Sequence, residues 1–291
     1  GEVAHYNILE GLTKVEENAS VSPLLAQEWQ RSNDGRSYRF QLRQGVRFQD
    51  GQAFDSAAVR FSFARAVAPG ATNKSRKALF DNISSLQTPD AHSVVLELHH
   101  ADPHLLFRLG ESPAVITHPA SAGQLADNPI GTGPYRLSQW RRGHSLQLQA
   151  APSYRAAEQL RMRSASYLFT PEAQAQIQAL QAGEVDVFFQ LATGAIRTMQ
   201  NDNRYHLLTG SSSGKGLLAL NHRHAALGDV RVRRAISHAI DRQAFIRNVL
   251  DGRGHAIGSH FAPTDPGFLH LESIYPHDPA RAQALLRETG L

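Results

Sequence analysis

Asn128-Pro129-Ile130-Gly131-Thr132-Gly133-Pro134-Tyr135-Arg136-Leu137 is the stretch that decides how this chain is read. Two glycines and two prolines crowd together, and an apolar–polar alternation begins at Tyr135. Gly131 and Gly133 allow backbone angles that a Cβ would forbid. Pro129 and Pro134 fix φ at about −65°. The stretch therefore reads as a rigid, shaped crossover into a strand rather than as a flexible linker.

Working outward from it, Tyr38, Phe40 and Leu42 alternate with Arg39, Gln41 and Arg43, the period of a strand with one wet face. Gly45 and the Asp50-Gly51 pair supply turns around Val46 and Phe48. Asp55 caps a helix carrying Val59, Phe63 and Val67, which Pro69-Gly70 ends. Val94, Leu96 and Leu98 form a strand after a Pro89-Asp90 turn. Pro103 opens an apolar helical stretch through Leu106 and Leu109, and Gly110 stops it. Leu146 and Leu148 begin the strand after Gly143.

Beyond the crossover, Thr170-Pro171-Glu172 reads as a helix start, with the Thr170 hydroxyl as N-cap and proline at the first position. Ile177 and Leu180 face inward and Gly183 closes this helix. Val185, Val187 and Phe189 then alternate as a strand. The segment from Gly210 to Gly216 is small and polar, a bend, and Leu217 to Leu220 reads as a short buried strand. Asp229 caps a helix with Val232, Ile236 and Ile240 on one face. Asp241 caps a second, with Phe245 and Val249 buried. Asp278-Pro279 opens a last helix, with Ala282, Leu285 and Leu286 inward and Gly290 at its C-cap position. Helix-to-strand steps of this kind belong to an α/β layered fold.

The chain has 291 residues, 41% hydrophobic and 19% charged, ordinary for a globular protein and long enough for more than one domain. There are no cysteines, which excludes disulfides, thiolate metal sites and cysteine nucleophiles. No apolar run approaches the length that spans a bilayer. No basic, apolar leader stands at Gly1, so a secreted protein is expected here in mature or trimmed form. The net charge is +4 with dispersed arginines, which favours a solvated surface over a nucleic-acid face.

Five blocks then carry a resemblance. They are Leu9-Glu10-Gly11-Leu12; Ser22-Pro23-Leu24-Leu25-Ala26-Gln27-Glu28-Trp29; the run from Asp34-Gly35 through Phe48 with Asp50-Gly51; Ala182-Gly183-Glu184-Val185-Asp186-Val187; and the run from Asp229-Val230-Arg231 to Ala239-Ile240-Asp241-Arg242. In this order and at these spacings the chain closely resembles the extracellular solute-binding proteins of family 5, which bind peptides or nickel and feed ABC importers. The likeness runs over residues 8–291. It implies an α/β, two-lobed fold of the type II periplasmic-binding-protein class (class C), closing on its ligand like a hinged clamp. Residues 1–9 and 119–213 would be the core of the first lobe, 10–118 its accessory domain, and 214–291 the beginning of a second lobe. Most of that second lobe and the returning C-terminal strands are lacking, so the chain is expected to be a fragment.

The resemblance implies a binding component, not an enzyme. It would hold short peptides in an inter-lobe cleft and deliver them to the permease subunits of an ABC transporter. It would be periplasmic or extracellular, associated with the membrane only through the permease, with no nucleic-acid partner and no cofactor. By similarity to peptide binders, Glu111, Ser112 and Pro113 and the edge formed by Gly216, Leu217, Leu218 and Ala219 face the ligand. Glu111 would receive an amine or another cationic group. The edge would pair with an extended peptide as an added strand. Phe80 and Asp81 are weaker candidates on the accessory domain.

Rival readings are a ligand-sensing domain of a transcriptional regulator with the same fold, a nickel-chelate binder and a serine hydrolase. For nickel, Ser112 and Val115 fall where the family's chelate-holding arginines would lie. The pairs His99 and His100, His222 and His224, and His255 and His260 lack the helical i, i+4 spacing with an intervening glutamate of a zinc hydrolase, so no metal site is assigned. Gly210-Ser211-Ser212-Ser213-Gly214 matches a nucleophile elbow in letters, but Lys215 to Leu220 reads as extended where a helix is required. Gly214-Lys215 fails as a phosphate loop, because the glycine spacing and the residue after the lysine are wrong. Arg231, Arg233 and Arg234 lack the interleaved aromatics of a nucleic-acid contact. Asp186 reads as the wet face of its strand.

Overall fold

The computed structural model describes residues 3–71, 73, 78–189, 199–208, 210, 214–263, 265 and 267–290. The chain divides into two units, Gly1–Thr170 and Pro171–Leu291.

Among the described residues the first unit holds two sheets and a short ribbon. The ribbon pairs β1 (Thr13–Val15) with β2 (Val21–Pro23). A four-stranded antiparallel sheet is built from β3 (Ala26–Arg31), β4 (Ser37–Leu42), β5 (Ile83–Asp90) and β6 (Ser93–Leu98), in the order β3-β4-β6-β5. Its alternation is the one the sequence implied at β4: Tyr38, Phe40 and Leu42 are buried and Arg39 is exposed.

Helix α1 (Ser56–Val67) packs on β5 and β6. Asp55 caps it by accepting from Ala57 N at 2.9 Å and Ala58 N at 3.1 Å. Ala58, Val59, Ser62, Phe63 and Ala66 form its buried stripe. Pro69 forces the preceding Ala68 into an extended conformation, ψ 153°, and the helix stops there.

The expected Pro89-Asp90 turn is instead the end of β5, an edge strand where a missing N–H is tolerated, and the register shifts between Gln87 and Asp90. The turn itself follows, with Asp90 Oδ1 accepting from His92 N at 2.7 Å. In β6 both faces are buried, Val95 included, so this strand has no wet face.

Helix α2 (Leu105–Arg108) is a single turn. The second sheet is antiparallel, β7 (Tyr135–Arg141), β8 (Ser145–Ala150) and β9 (Ser164–Leu168), with the central β8 paired to both neighbours. Its core joins Tyr135 and Leu148 to Ile8 from the N-terminal segment.

The second unit is helical among the described residues: α3 (Ala173–Gln181), α4 (Ala225–Gly228), α5 (Val230–Ala239), α6 (Arg242–Val249) and α7 (Pro279–Arg287). Asp229, Asp241 and Asp278 are the N-caps read from the sequence, accepting from Arg231 N, Ala244 N and Arg281 N. The Arg231 guanidinium holds the Asp229 carboxyl down to about 2. Ala235 of α5 packs on Ala282 and Leu285 of α7.

Four expectations change here. Helix α3 starts at Ala173 with Glu172, not Thr170, at its N-cap, and the Glu172 side chain makes no cap hydrogen bond. Phe245 and Val249 of α6 are exposed rather than buried. Val185, Val187 and Phe189 do not form a strand, and Val187 and Phe189 lie exposed. The stretch 217–220 is neither a strand nor buried, with Leu217 61% and Leu218 65% exposed. The last two share a cause: neither the alternation at 185–189 nor the apolar run at 217–220 makes a strand without a partner backbone to take its N–H and C=O groups, and none pairs there among the described residues. The described residues include no helix long and apolar enough to cross a membrane.

Candidate functional site

The crossover at 131–134 is gripped from two sides. Gly133 N donates to Ile8 O at 2.9 Å and Tyr135 N to Asn7 O at 2.8 Å. Gln49 closes the other side. Its backbone N–H reaches Gly131 O at 2.9 Å, and its side-chain amide reaches Gly133 O at 3.1 Å and Tyr135 O at 2.7 Å. Its carbonyl accepts from Gly131 N. A Cβ on Gly131 would stand 2.0 Å from Ile8 O, and one on Gly133 2.6 Å from Asn7 O. Neither glycine has left-handed backbone. The glycines are there for close approach of two backbones, not for the unusual angles the sequence suggested.

A buried ion pair fixes the same junction. Glu10 is 2% exposed. Its carboxylate accepts from both Arg155 guanidinium nitrogens at 2.8 Å and from Thr132 Oγ1 at 2.8 Å. This is the bidentate geometry of a strong charge-assisted pair. Burial works against the charge on Arg155, but the hydrogen bonds and charge of Glu10 outweigh it and hold the guanidinium more firmly protonated. Glu10 O also accepts from Ile116 N at 2.8 Å, which ties this pair to the segment carrying the predicted ligand loop.

That loop is Glu111 followed by the 3-10 turn Ser112–Ala114. Glu111 N donates to Arg108 O, and Ala114 N to Glu111 O at 3.0 Å. The Tyr6 hydroxyl donates to Gly110 O at 2.5 Å and accepts from Val15 N at 2.8 Å. Asn73 Nδ2 donates to Pro113 O at 3.0 Å, and Ser62 Oγ accepts from Thr117 N at 2.9 Å. Burial holds the Tyr6 phenol above its ordinary value, and the nearby Glu16 and Glu111 charges push the same way. The His5 ring stacks on Tyr6 at 3.8 Å, and burial pushes its imidazole below the usual range. On this pinned frame Glu111 and Pro113 are half-buried and Ser112 is exposed. The Glu111 carboxylate makes no hydrogen bond or ion pair among the described residues. A carboxylate so placed is available to a cationic ligand group.

The other predicted stretch, Gly216, Leu217, Leu218 and Ala219, belongs to the second unit and is exposed throughout. Its backbone groups make no backbone hydrogen bonds among the described residues. At one end Lys215 Nζ lies 3.0 Å from Asp265 Oδ2. At the other, Asn221 closes a turn, accepting from His224 N and Arg223 N.

Phe80, the weaker candidate, is buried, edge-on against Phe63 at 5.3 Å. Asp81 lines an open groove of about 550 Å³ with Asn82, His99, His100, Asp102 and Arg108. Ser211, Ser212 and Ser213 lie outside the described residues. No group of three or more His, Cys, Asp or Glu among the described residues is placed to hold a metal ion. Asp186 is exposed, as read, though on no strand. The Glu10–Arg155 pair and the Gln49 clamp escaped the sequence reading. The one signal for them was a glutamate set between leucines in Leu9-Glu10-Gly11-Leu12.

Residues 20–291 match the family described as bacterial extracellular solute-binding proteins, family 5 Middle. This chain belongs to that family. Among its relatives, a probable di/tripeptide-binding protein 5 of Pseudomonas aeruginosa is 29% identical over 292 residues, covering 92% of this chain and 55% of the relative. The dipeptide-binding protein of Escherichia coli is 28% identical, covering 93% and 55%. In structure, a Pseudoalteromonas dipeptide-binding protein in complex with Met-Leu superposes with a TM-score of 0.85 at 23% identity, over 99% of this chain and 62% of that one. NikZ from Campylobacter jejuni, in complex with Ni(L-His), gives 0.84 at 23%, over 98% and 58%. The fold is the type II periplasmic-binding-protein class. The chain spans little more than half the length of the curated relatives it matches.

Proposed function

We propose that this chain is the larger part of the substrate-binding component of an ABC importer, and that its ligand is a short peptide held between two lobes. The observation that carries the reading is the Glu111 carboxylate, without a hydrogen-bond or ion-pair partner among the described residues, on a loop pinned by Tyr6, Asn73 and Ile116. A peptide amine matches it in charge. The backbone at 216–219, which makes no backbone hydrogen bonds among the described residues, supports the same ligand, because an extended peptide can pair with such N–H and C=O groups as an added strand. Residues 1–9 and 119–213 form the core of lobe I, 10–118 its accessory domain, and 214–291 the start of lobe II. No bond is made or broken. Affinity comes from closure, through contacts that differ between open and closed states. The partner is a membrane permease and the place of action is the periplasm or the cell exterior. A nickel chelate is less well served, since Ser112 and Val115 offer no cation to an anionic chelator.

A micromolar complex corresponds to roughly −8 kcal/mol. A polypeptide that supplies one wall of the cleft and the beginning of the other loses most of that. Calorimetric titration of dipeptides into residues 1–291 is expected to give no binding tighter than about millimolar, roughly −4 kcal/mol. Micromolar binding by this polypeptide would overturn the assignment of a second lobe that is only begun here.

A further inference from the structure

We infer that Lys215 and Asp265 are positioning residues for the 216–219 edge, an inference that rests on reading that edge as the peptide contact. Lys215 is the residue immediately before Gly216, and its ammonium meets a carboxylate 50 positions along the chain. The side chains are only 16% and 23% exposed. The Arg204–Asp202, Arg231–Asp229 and Arg281–Glu288 pairs of the same unit all lie more open to water. A pair withdrawn from solvent in this way is screened less than a surface pair.

Asp265 is itself held in place before Lys215 reaches it. Its Oδ2 accepts from Ala262 N at 2.7 Å, and its own N–H donates to Ala262 O at 2.8 Å. Ala262 is buried. The Ala262 N–H and the Lys215 ammonium together keep the carboxyl below its ordinary range, so the charged partner is present at neutral pH. Asp265 is thus a fixed post and Lys215 a line tied to it.

The edge needs such a tether. Its backbone makes no backbone hydrogen bonds among the described residues, and Leu217 and Leu218 are exposed. Gly216, with no Cβ and nothing within 4 Å of where one would be, adds freedom at the point of attachment. The Asn221 turn anchors the far end. An edge fixed at both ends presents its N–H and C=O groups in one line and loses less entropy when a peptide pairs with it.

The test is backbone 15N relaxation at residues 216–219 in the whole 291-residue chain and in Lys215→Met, Lys215→Arg and Asp265→Asn. Met keeps the stem and removes the charge; Asn keeps an acceptor for Ala262 N and removes the charge. The order parameter is expected to fall from about 0.85 to below about 0.6 in Lys215→Met and in Asp265→Asn, and to recover in Lys215→Arg. Relaxation of α5 should not change, which certifies that the unit remains folded. Unchanged order at 216–219 in both charge-removing variants overturns the inference. Photolabelling of the wild-type chain by a peptide reports separately on the ligand reading. If order falls with the charge but no label reaches 216–219, the tether stands and the peptide contact is what fails.

Discussion

Replacing Gly131 by alanine is expected to unfold the first unit or to destabilise it by at least about 4 kcal/mol, in the range reserved for severe core defects. The new Cβ would sit 2.0 Å from Ile8 O and 2.8 Å from Ile8 C. Both are backbone atoms, so no rotamer change relieves the clash. The Ile8 segment cannot retreat, because Ile8 O accepts from Gly133 N and Asn7 O from Tyr135 N. Moving it would break those bonds and draw Ile8 out of the Tyr135 and Leu148 core. Gly143→Ala is the control. Gly143 has φ +73°, and a Cβ there meets nothing within 4 Å, so only the left-handed backbone is strained, at about 1–2 kcal/mol. Urea unfolding of the two variants should separate them widely. Equal losses would show that the crossover is an ordinary turn.

Arg155→Met is the second large effect. Among the described residues, it leaves the Glu10 carboxylate buried with Thr132 Oγ1 as its remaining side-chain donor. Breaking a buried pair from one side typically destabilises by about 3–5 kcal/mol. Because the Arg155 side chain is 23% exposed, the lower end, about 3 kcal/mol, is expected. Part of this is lost packing, since the guanidinium also lies over the Tyr154 ring at 4.8 Å. The double variant Glu10→Met, Arg155→Met should recover much of the loss, because an apolar pair carries no unpaired charge. A double-mutant cycle on urea midpoints measures this coupling. Additive losses would mean that the two side chains act independently.

What the sequence made legible was local. Asp55, Asp229, Asp241 and Asp278 stood as helix caps because an N-cap acts within three residues. Tyr38, Phe40 and Leu42 announced β4 by period alone. Strand β5 was hidden because Pro89 resembles a turn, and only the edge position of the strand makes it tolerable. Residues 185–189 and 217–220 show the opposite failure, a strand-like pattern with no partner among the described residues. Arg155 pairs with Glu10 across 145 positions, a distance no local pattern encodes. The two ligand stretches came from family likeness, not from periodicity. What the structure adds is a physical state for each: among the described residues, a carboxylate at Glu111 with no hydrogen-bond or ion-pair partner and a backbone at 216–219 with no backbone hydrogen bonds.

The central claim, that these two stretches grip a peptide, is tested most directly by photolabelling. A dipeptide carrying a benzophenone side chain is irradiated at millimolar concentration with the chain, and the adducts are mapped by mass spectrometry. Adducts are expected at Glu111, Ser112 or Pro113 and at residues 216–219, suppressed by excess unlabelled dipeptide. Competable labelling of the groove at Asp81, His99 and Arg108 instead, with neither stretch modified, would contradict it.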